Sequence, residues 1–141
     1  AGADEYVLAE GFKSTIKEAG GVDIVVDPVG NAPGVDRFTD SLRCLKDDGR
    51  LLVIGFAAGE IPTVAVNRLL LNNVSVVGVG WGAYALKRPG HIRREWEAML
   101  SHLESGALSP IVGATFELDQ VSEALTMLDE AKATGKLVLE I

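Results

Sequence analysis

The sequence predicts an α/β fold built on an open, mostly parallel sheet. Four short apolar runs, at residues 22–29, 50–56, 74–79 and 136–141, are strand-length and bounded by glycine or turn residues. Segments between them carry apolar residues at helical spacing. The runs are apolar on successive positions rather than alternate ones, the pattern of strands buried on both faces by flanking helices. With 48% hydrophobic and 23% charged residues in 141, the composition is that of one folded unit with no room for a long disordered tract.

Taken in order, residues 5–8 form a weak opening strand, and Phe12, Ile16 and Ala19 line one face of a first helix. The run 22–29 is β-branched and apolar apart from Asp23 and Asp27. Val35, Phe38, Leu42 and Leu45 follow the stripe of a second helix, with Pro33 suited to its first turn and Asp47-Asp48-Gly49 closing it. The strand 50–56, a short connection and the strand 74–79 come next. Ile92, Trp96, Met99, Leu100 and Leu103 mark a third helix ending at Gly106, a left-handed cap. Residues 111–116 are a further candidate strand. Val121, Ala124, Leu125 and Leu128 mark a fourth helix capped by Asp119, and 136–141 closes the chain. Right-handed crossovers make a parallel sheet the default for the first part. After Pro89 the rhythm breaks: one long helix is followed by Pro110 and a Thr/Val/Phe strand, a section suited to packing against something else.

Thirteen Lys plus Arg against twenty Asp plus Glu give a net charge of −7, which opposes general attraction to nucleic acid or anionic membrane. Small molecules and protein surfaces remain as partners. The single cysteine, Cys44, excludes an intrachain disulfide and a multi-thiolate zinc site, which points to a reducing, cytoplasmic setting. No run reaches the length of a membrane span. Ala1-Gly2-Ala3-Asp4 carries neither an initiator Met nor a targeting pattern, and reads as a start within a larger protein.

In open α/β sheets the ligand crevice lies beyond the carboxyl ends of the strands. Three runs end in glycine-marked segments there: Asp27-Pro28-Val29-Gly30-Asn31, Gly55-Phe56-Ala57-Ala58-Gly59 and Gly78-Val79-Gly80-Trp81-Gly82. Each alone reads as an ordinary turn; three on successive strands would line one rim and let backbone approach a flat ligand. Gly78-x-Gly80-x-x-Ala83 formally fits a dinucleotide fingerprint. It is rejected as a pyrophosphate loop because Arg88-Pro89-Gly90 interrupts the chain too soon for a packed helix. Trp81 either stacks near a ligand or closes the core at the sheet rim.

Other searches give structural readings. Cys44 sits between Leu42 and Leu45 with no neighbouring histidine. His91 and His102, three turns apart on one helix, lie roughly 16 Å from each other and cannot share a metal. Lys87, Arg88, His91, Arg93 and Arg94 form the one basic cluster, most simply a solvated helix start. Asp23 and Asp27 share a strand face but do not make a catalytic carboxylate pair.

GVDIVVDPVG at 21–30, SLRCLKDDGRLLVIGFAAGEIP at 41–62, NRLLLNNVSVVGVGWGA at 67–83 and ATGKLVLEI at 133–141 together resemble the quinone oxidoreductase-like branch of the medium-chain dehydrogenase/reductase superfamily. The resemblance implies an incomplete Rossmann-type parallel sheet, its third to sixth strands, within a C-terminal portion spanning 1–141 of a nucleotide-binding domain. Residues from about 107 to 141 would form a C-terminal segment that returns to and packs on the missing catalytic domain. The phosphate-binding glycine loop would lie upstream of this chain.

The resemblance further implies an NAD(P)H-dependent, zinc-free enzyme transferring hydride to a quinone, enone or similar carbonyl-activated small-molecule acceptor. Val29 and Gly30 would approach the adenosine side or the bridging riboses. Gly55, Phe56 and Ala57 would border the nicotinamide ribose and carboxamide, and Gly80, Trp81 and Gly82 the nicotinamide ring. Lys132 matches a basic position that reaches the cofactor in some relatives. Where relatives often carry Asn-Tyr this chain has Leu8-Ala9, which leaves NADP against NAD open. No catalytic residue is assigned, and the chain alone is expected to be inactive. The strand 74–79 would meet its two-fold mate in a homodimer. A chain acting only as a dimerisation or interaction module through that strand is the alternative. A methyltransferase-like domain is disfavoured, because no glycine-rich loop follows the first strand.

Overall fold

The structure, a computed structural model, describes residues 2–141. The chain divides into two compact units, one formed by Glu5–Pro89 and the other by Gly90–Ile141 with the chain's first residues.

The first unit contains α1 (Phe12–Glu18), β1 (Val22–Asp27), α2 (Arg37–Leu42), β2 (Leu45–Val53), α3 (Asn67–Asn72), β3 (Ser75–Gly78) and α4 (Trp81–Leu86). The three strands form one sheet in the order β1-β2-β3, parallel throughout. Burial on both faces is met in the central strand alone: Leu51 of β2, fully buried, pairs with Val25 on one side and Val76 on the other, whereas Ile24 and Val26 of β1 are exposed, because no described element covers that face. Phe38, Leu42 and Val74 complete the buried cluster around Leu51, with Leu45, Val64 and Leu69 packed against it. Of the stripe read for the second helix, Phe38 and Leu42 face the core and Leu45 packs against it, while Val35 is exposed.

Several boundaries differ from expectation. Residues 5–8 pair with nothing among the described residues and form no strand. The second helix starts at Arg37, beyond Pro33, because Asp36 supplies the cap: the Thr39 N–H donates to its Oδ1 at 3.0 Å. That helix ends at Leu42, and Asp47-Asp48-Gly49 lies inside the span of β2 instead of closing the helix. Leu45 already pairs with Val22, after which the register jumps to Ile24 opposite Arg50, so the three residues form a bulge. A Cβ on Gly49 would stand 2.8 Å from the Lys46 carbonyl, which is why glycine closes it. Two six-residue helices, α3 and α4, replace the expected connection and glycine-rich loop.

The second unit contains α5 (His91–Glu104), β4 (Val112–Glu117), α6 (Val121–Asp129) and β5 (Lys136–Glu140). β4 and β5 pair in parallel across α6, so this section contains a βαβ unit that its sequence rhythm concealed. Asp119 does not cap α6. It lies in a 3-10 turn, Leu118–Gln120, held by a reciprocal box in which the Glu117 N–H donates to Gln120 Oε1 at 3.0 Å. No helix among the described residues is long and apolar enough to cross a membrane.

The acid limb of stability follows from the first unit. The Lys13 ammonium, 2.7 Å from Asp40, and Arg43, at 3.1 Å, hold the Asp40 carboxyl below the ordinary carboxylate range. Asp36 is lowered by hydrogen bonds from Thr39 and Asn31. A carboxyl lowered by folding stabilises the fold above its unfolded pKa, and that contribution is lost as pH falls through the folded value. The melting temperature should therefore drop on acidification below about pH 4. Asp40→Asn should be less stable at neutral pH and show a shallower acid limb in a pH series of thermal melts.

Candidate functional site

The parallel register sets the carboxyl ends of the three strands level. Asp27 pairs with Val53, and Val53 with Gly78, so the segments after β1, β2 and β3 leave the sheet at the same height and on the same side. The level continues one step further, since the Ile54 N–H donates to the Asp27 carbonyl at 2.8 Å and the Val79 N–H to the Val53 carbonyl at 2.9 Å. These are the three glycine-marked segments singled out in the sequence, and they share one rim.

The first two segments are laced together. The Gly55 and Ala57 N–H groups donate to the carbonyls of Asp27 and Pro28 at 3.4 and 3.1 Å, and Ala58 to that of Val29 at 2.9 Å. Asn31 and Glu60 exchange backbone hydrogen bonds in both directions, at 3.3 and 3.1 Å. Below this lacing, the Asp27 carboxylate accepts the N–H groups of Val29 at 2.9 Å and Gly30 at 3.0 Å, a turn in which an Asp side chain replaces a backbone acceptor. Gly30 is buried at φ 70°, and Phe56 lies against it: a Cβ there would stand 3.1 Å from the Phe56 ring and 2.9 Å from the Glu60 carbonyl.

Val29, Ile54, Phe56 and Trp81 are half-exposed apolar groups along this rim. Trp81 opens α4 directly after β3, with Gly80 as the residue before the helix. Cβ atoms at Gly78, Gly80 and Gly82 would meet nothing within 4 Å, so open space borders this end of the rim. Beside Val29 and Gly30 lies a cavity of about 300 Å³, lined also by Val7, Ala9, Phe12, Asp27, Arg37 and Ser41. Ala9, one of the two residues standing where relatives often carry Asn-Tyr, faces the same hollow as the segment read for the adenosine side. Such a rim suits a long, flat ligand, with apolar faces for rings and backbone groups for polar edges. It lacks an anion site of its own: among the described residues no glycine-rich loop opens a long helix at the strand ends, so the pyrophosphate of a dinucleotide is not provided for here.

Eight of the nine expected contacts, Val29, Gly30, Gly55, Phe56, Ala57, Gly80, Trp81 and Gly82, thus belong to the rim of the first unit. Lys132 belongs to the second unit, where its ammonium pairs with Glu130 at 2.6 Å. Sequence reasoning passes over Asp27 and Asn31 as ligands of the loops. The available signal is an Asp two and three residues ahead of Val29 and Gly30, the spacing of an Asp-nucleated turn.

Within the basic cluster Arg88 lies 3.5 Å over the Tyr84 ring and Arg93 pairs with Glu97 at 3.0 Å. His91 bonds Glu95 at 3.0 Å. Among the described residues no group of three or more His, Cys, Asp or Glu side chains is placed to hold a metal ion. Cys44 is buried beside α2, its Sγ donating to the Asp40 carbonyl at 3.3 Å, and burial pushes its thiol up.

The family model of zinc-binding dehydrogenases matches residues 1–139. Quinone oxidoreductase-like protein 2 of Bos taurus is 37% identical over 136 residues, covering 92% of this chain and 38% of that protein. A probable oxidoreductase from Mycobacterium abscessus superposes with a TM-score of 0.76 at 37% identity, over 99% of this chain and 41% of its own. The quinone oxidoreductase of Thermus thermophilus, solved also as its NADPH complex, gives 0.70 at 30% identity, over 91% of this chain and 40% of its own. The chain therefore spans well under half the length of these relatives. It belongs to the zinc-binding dehydrogenase family, within the quinone oxidoreductase-like part of the medium-chain dehydrogenase/reductase superfamily that its motifs resemble.

Proposed function

We propose that this chain is the nicotinamide side of the cofactor cleft in a larger NAD(P)H-dependent oxidoreductase that reduces a quinone, enone or similar carbonyl-activated acceptor. The observation that carries the reading is the level register of Asp27, Val53 and Gly78, which sets three glycine-marked segments on one open rim. The NADPH complex of the Thermus thermophilus relative supports a nicotinamide dinucleotide as the ligand. When bound, that cofactor supplies the hydride.

The chain's own residues bind and orient. Val29 and Gly30 border the ribose and adenosine side. Gly55, Phe56 and Ala57 border the nicotinamide ribose and carboxamide, and the open backbone at Gly80 and Gly82 admits the ring beside Trp81. Lys132 is the basic position that the family resemblance assigns to the cofactor. Catalysis then rests on holding the ring against the acceptor rather than on a nucleophile from these residues. The pyrophosphate loop and the acceptor pocket come from the rest of the enzyme, toward which residues from about 107 to 141 return.

A homodimer is part of the reading. β3 is one of the two edge strands of its sheet, and on the preceding α3 Leu70 and Leu71 are each 77% exposed.

The test is made on the full-length protein. NADPH or NADH is titrated calorimetrically, and loss of reduced-nicotinamide absorbance is followed with a para-benzoquinone and with an α,β-unsaturated ketone. Micromolar binding with turnover of either acceptor is expected, and a dimer in sedimentation. Absence of binding for both nucleotides would overturn the reading.

A further inference from the structure

Resting on that reading, we infer that Asn31 is the positioning residue of the cofactor rim, tying its two laced loops to the buried core. Asn31 makes four hydrogen bonds, two through the backbone and two through the side chain. Its backbone bridges to Glu60 in both directions. Its Oδ1 accepts the Phe38 N–H at 3.0 Å, and its Nδ2 donates to Asp36 Oδ1 at 3.3 Å. That same Asp36 oxygen caps Thr39. Phe38 is itself among the most buried side chains of the unit.

One residue thus joins three elements, two through its backbone and the third through its side chain. The loop after β1 carries Val29 and Gly30, the loop after β2 carries Gly55, Phe56 and Ala57, and the start of α2 is anchored through Phe38. Both side-chain bonds run to the start of α2, so the role assigned to Asn31 is to set where Gly30 and Phe56 stand. Without its side chain the two loops lose their tie to α2, and the lacing between them opens more often. Strand pairing lies below this point and does not depend on it.

The experiment compares the full-length protein with Asn31→Ala, Asn31→Asp and the double variant Asn31→Asp/Asp36→Asn. The single Asp keeps an acceptor for Phe38 but sets two carboxylates against each other. The double variant exchanges amide and carboxylate across the same contact and restores one donor and one acceptor. Amide hydrogen exchange is read without nucleotide, and NADPH affinity by calorimetry.

In Asn31→Ala, exchange at Phe38, Ala58 and Glu60 should accelerate by about tenfold or more while Leu51 and Leu52 are unchanged, and NADPH should bind about tenfold more weakly. The double variant should recover both relative to Asn31→Asp. Uniform acceleration through β2, or local acceleration with unaltered affinity, would overturn the positioning role. Failure of the unsubstituted protein to bind either nucleotide would overturn the functional reading and, with it, the link to cofactor. The exchange pattern reports the loop anchor in that case too, so the two failures are distinguishable.

Discussion

Leu51→Ala is expected to lower the unfolding free energy of the first unit by about 2–5 kcal/mol. Leu51 is fully buried on the central strand and is hemmed in on one side by Val25 and on the other by Val76. Phe38, Leu42 and Val74 close the space around it. Helix and sheet both border the vacated volume, so neither can collapse into it without breaking strand register, and the cavity term is added to the transfer term. For a unit of this size the melting midpoint should fall by at least about 8 °C. In urea the midpoint should move with little change of slope. Leu70→Ala is the control: the side chain is 77% exposed, and its loss should stay within about 0.5 kcal/mol. A Leu51→Ala protein that melts with the unsubstituted one would mean that the sheet is not the core.

The same central strand explains how much of the fold is legible in sequence. Runs of consecutive apolar, β-branched residues place β1, β2, β3 and β5 within a few residues, although burial on both faces is met only in the central strand and Ile24 and Val26 of β1 are exposed. Parallel polarity follows, because only parallel pairing with helical crossovers satisfies such runs. Boundaries are lost where local chemistry competes with periodicity. Leu45 fits the stripe of the second helix, yet it also pairs with Val22, and the strand takes it. Pro33 is compatible with a helix start, yet the Asp36 carboxylate satisfies the helix N–H groups and moves the start to Arg37. The six residues of α3 and of α4 are under two turns each, too short for a 3.6-residue period to register, and the glycines at 80 and 82 mask the second.

The site shows the same division. Glycine at strand ends identifies the rim, since backbone exposure is a property of residue type. What holds the rim together is pairwise, and composition does not report pairs. Spacing along the strand sets Asp27 beside Asp23, whereas Asp27 folds back on its own chain and Asp23 instead meets Lys46 at 3.2 Å. In sequence Asn31 is only the end of a run, and its bonds to Phe38 and Glu60 span 7 and 29 residues. Lys132 follows only from resemblance, and no property of its own segment ties it to the rim.

Gly30→Val in the full-length protein should abolish measurable NADPH binding and destabilise the first unit, and Gly34 separates the two causes. Both glycines have positive φ, 70° and 72°. Either replacement incurs the left-handed backbone penalty of about 1–2 kcal/mol, and a β-branched side chain incurs more. At Gly34 a Cβ meets nothing within 4 Å, so Gly34→Ala should cost that strain alone and leave affinity unchanged. At Gly30 the Cβ would stand 2.9 Å from the Glu60 carbonyl and 3.1 Å from the Phe56 ring. The carbonyl cannot yield without breaking its bond to Asn31, and the ring yields only by swinging out over the rim, where the nicotinamide ribose is proposed to lie. Crowding at Gly30 is thereby converted into occlusion of the cleft. Gly30→Ala should fall between the two, with stability lowered beyond Gly34→Ala and affinity reduced about tenfold or more. Calorimetric titration and thermal melts of the three variants decide it: equal affinity in Gly30→Val and the unsubstituted protein would show that the dinucleotide does not cross this edge of the sheet.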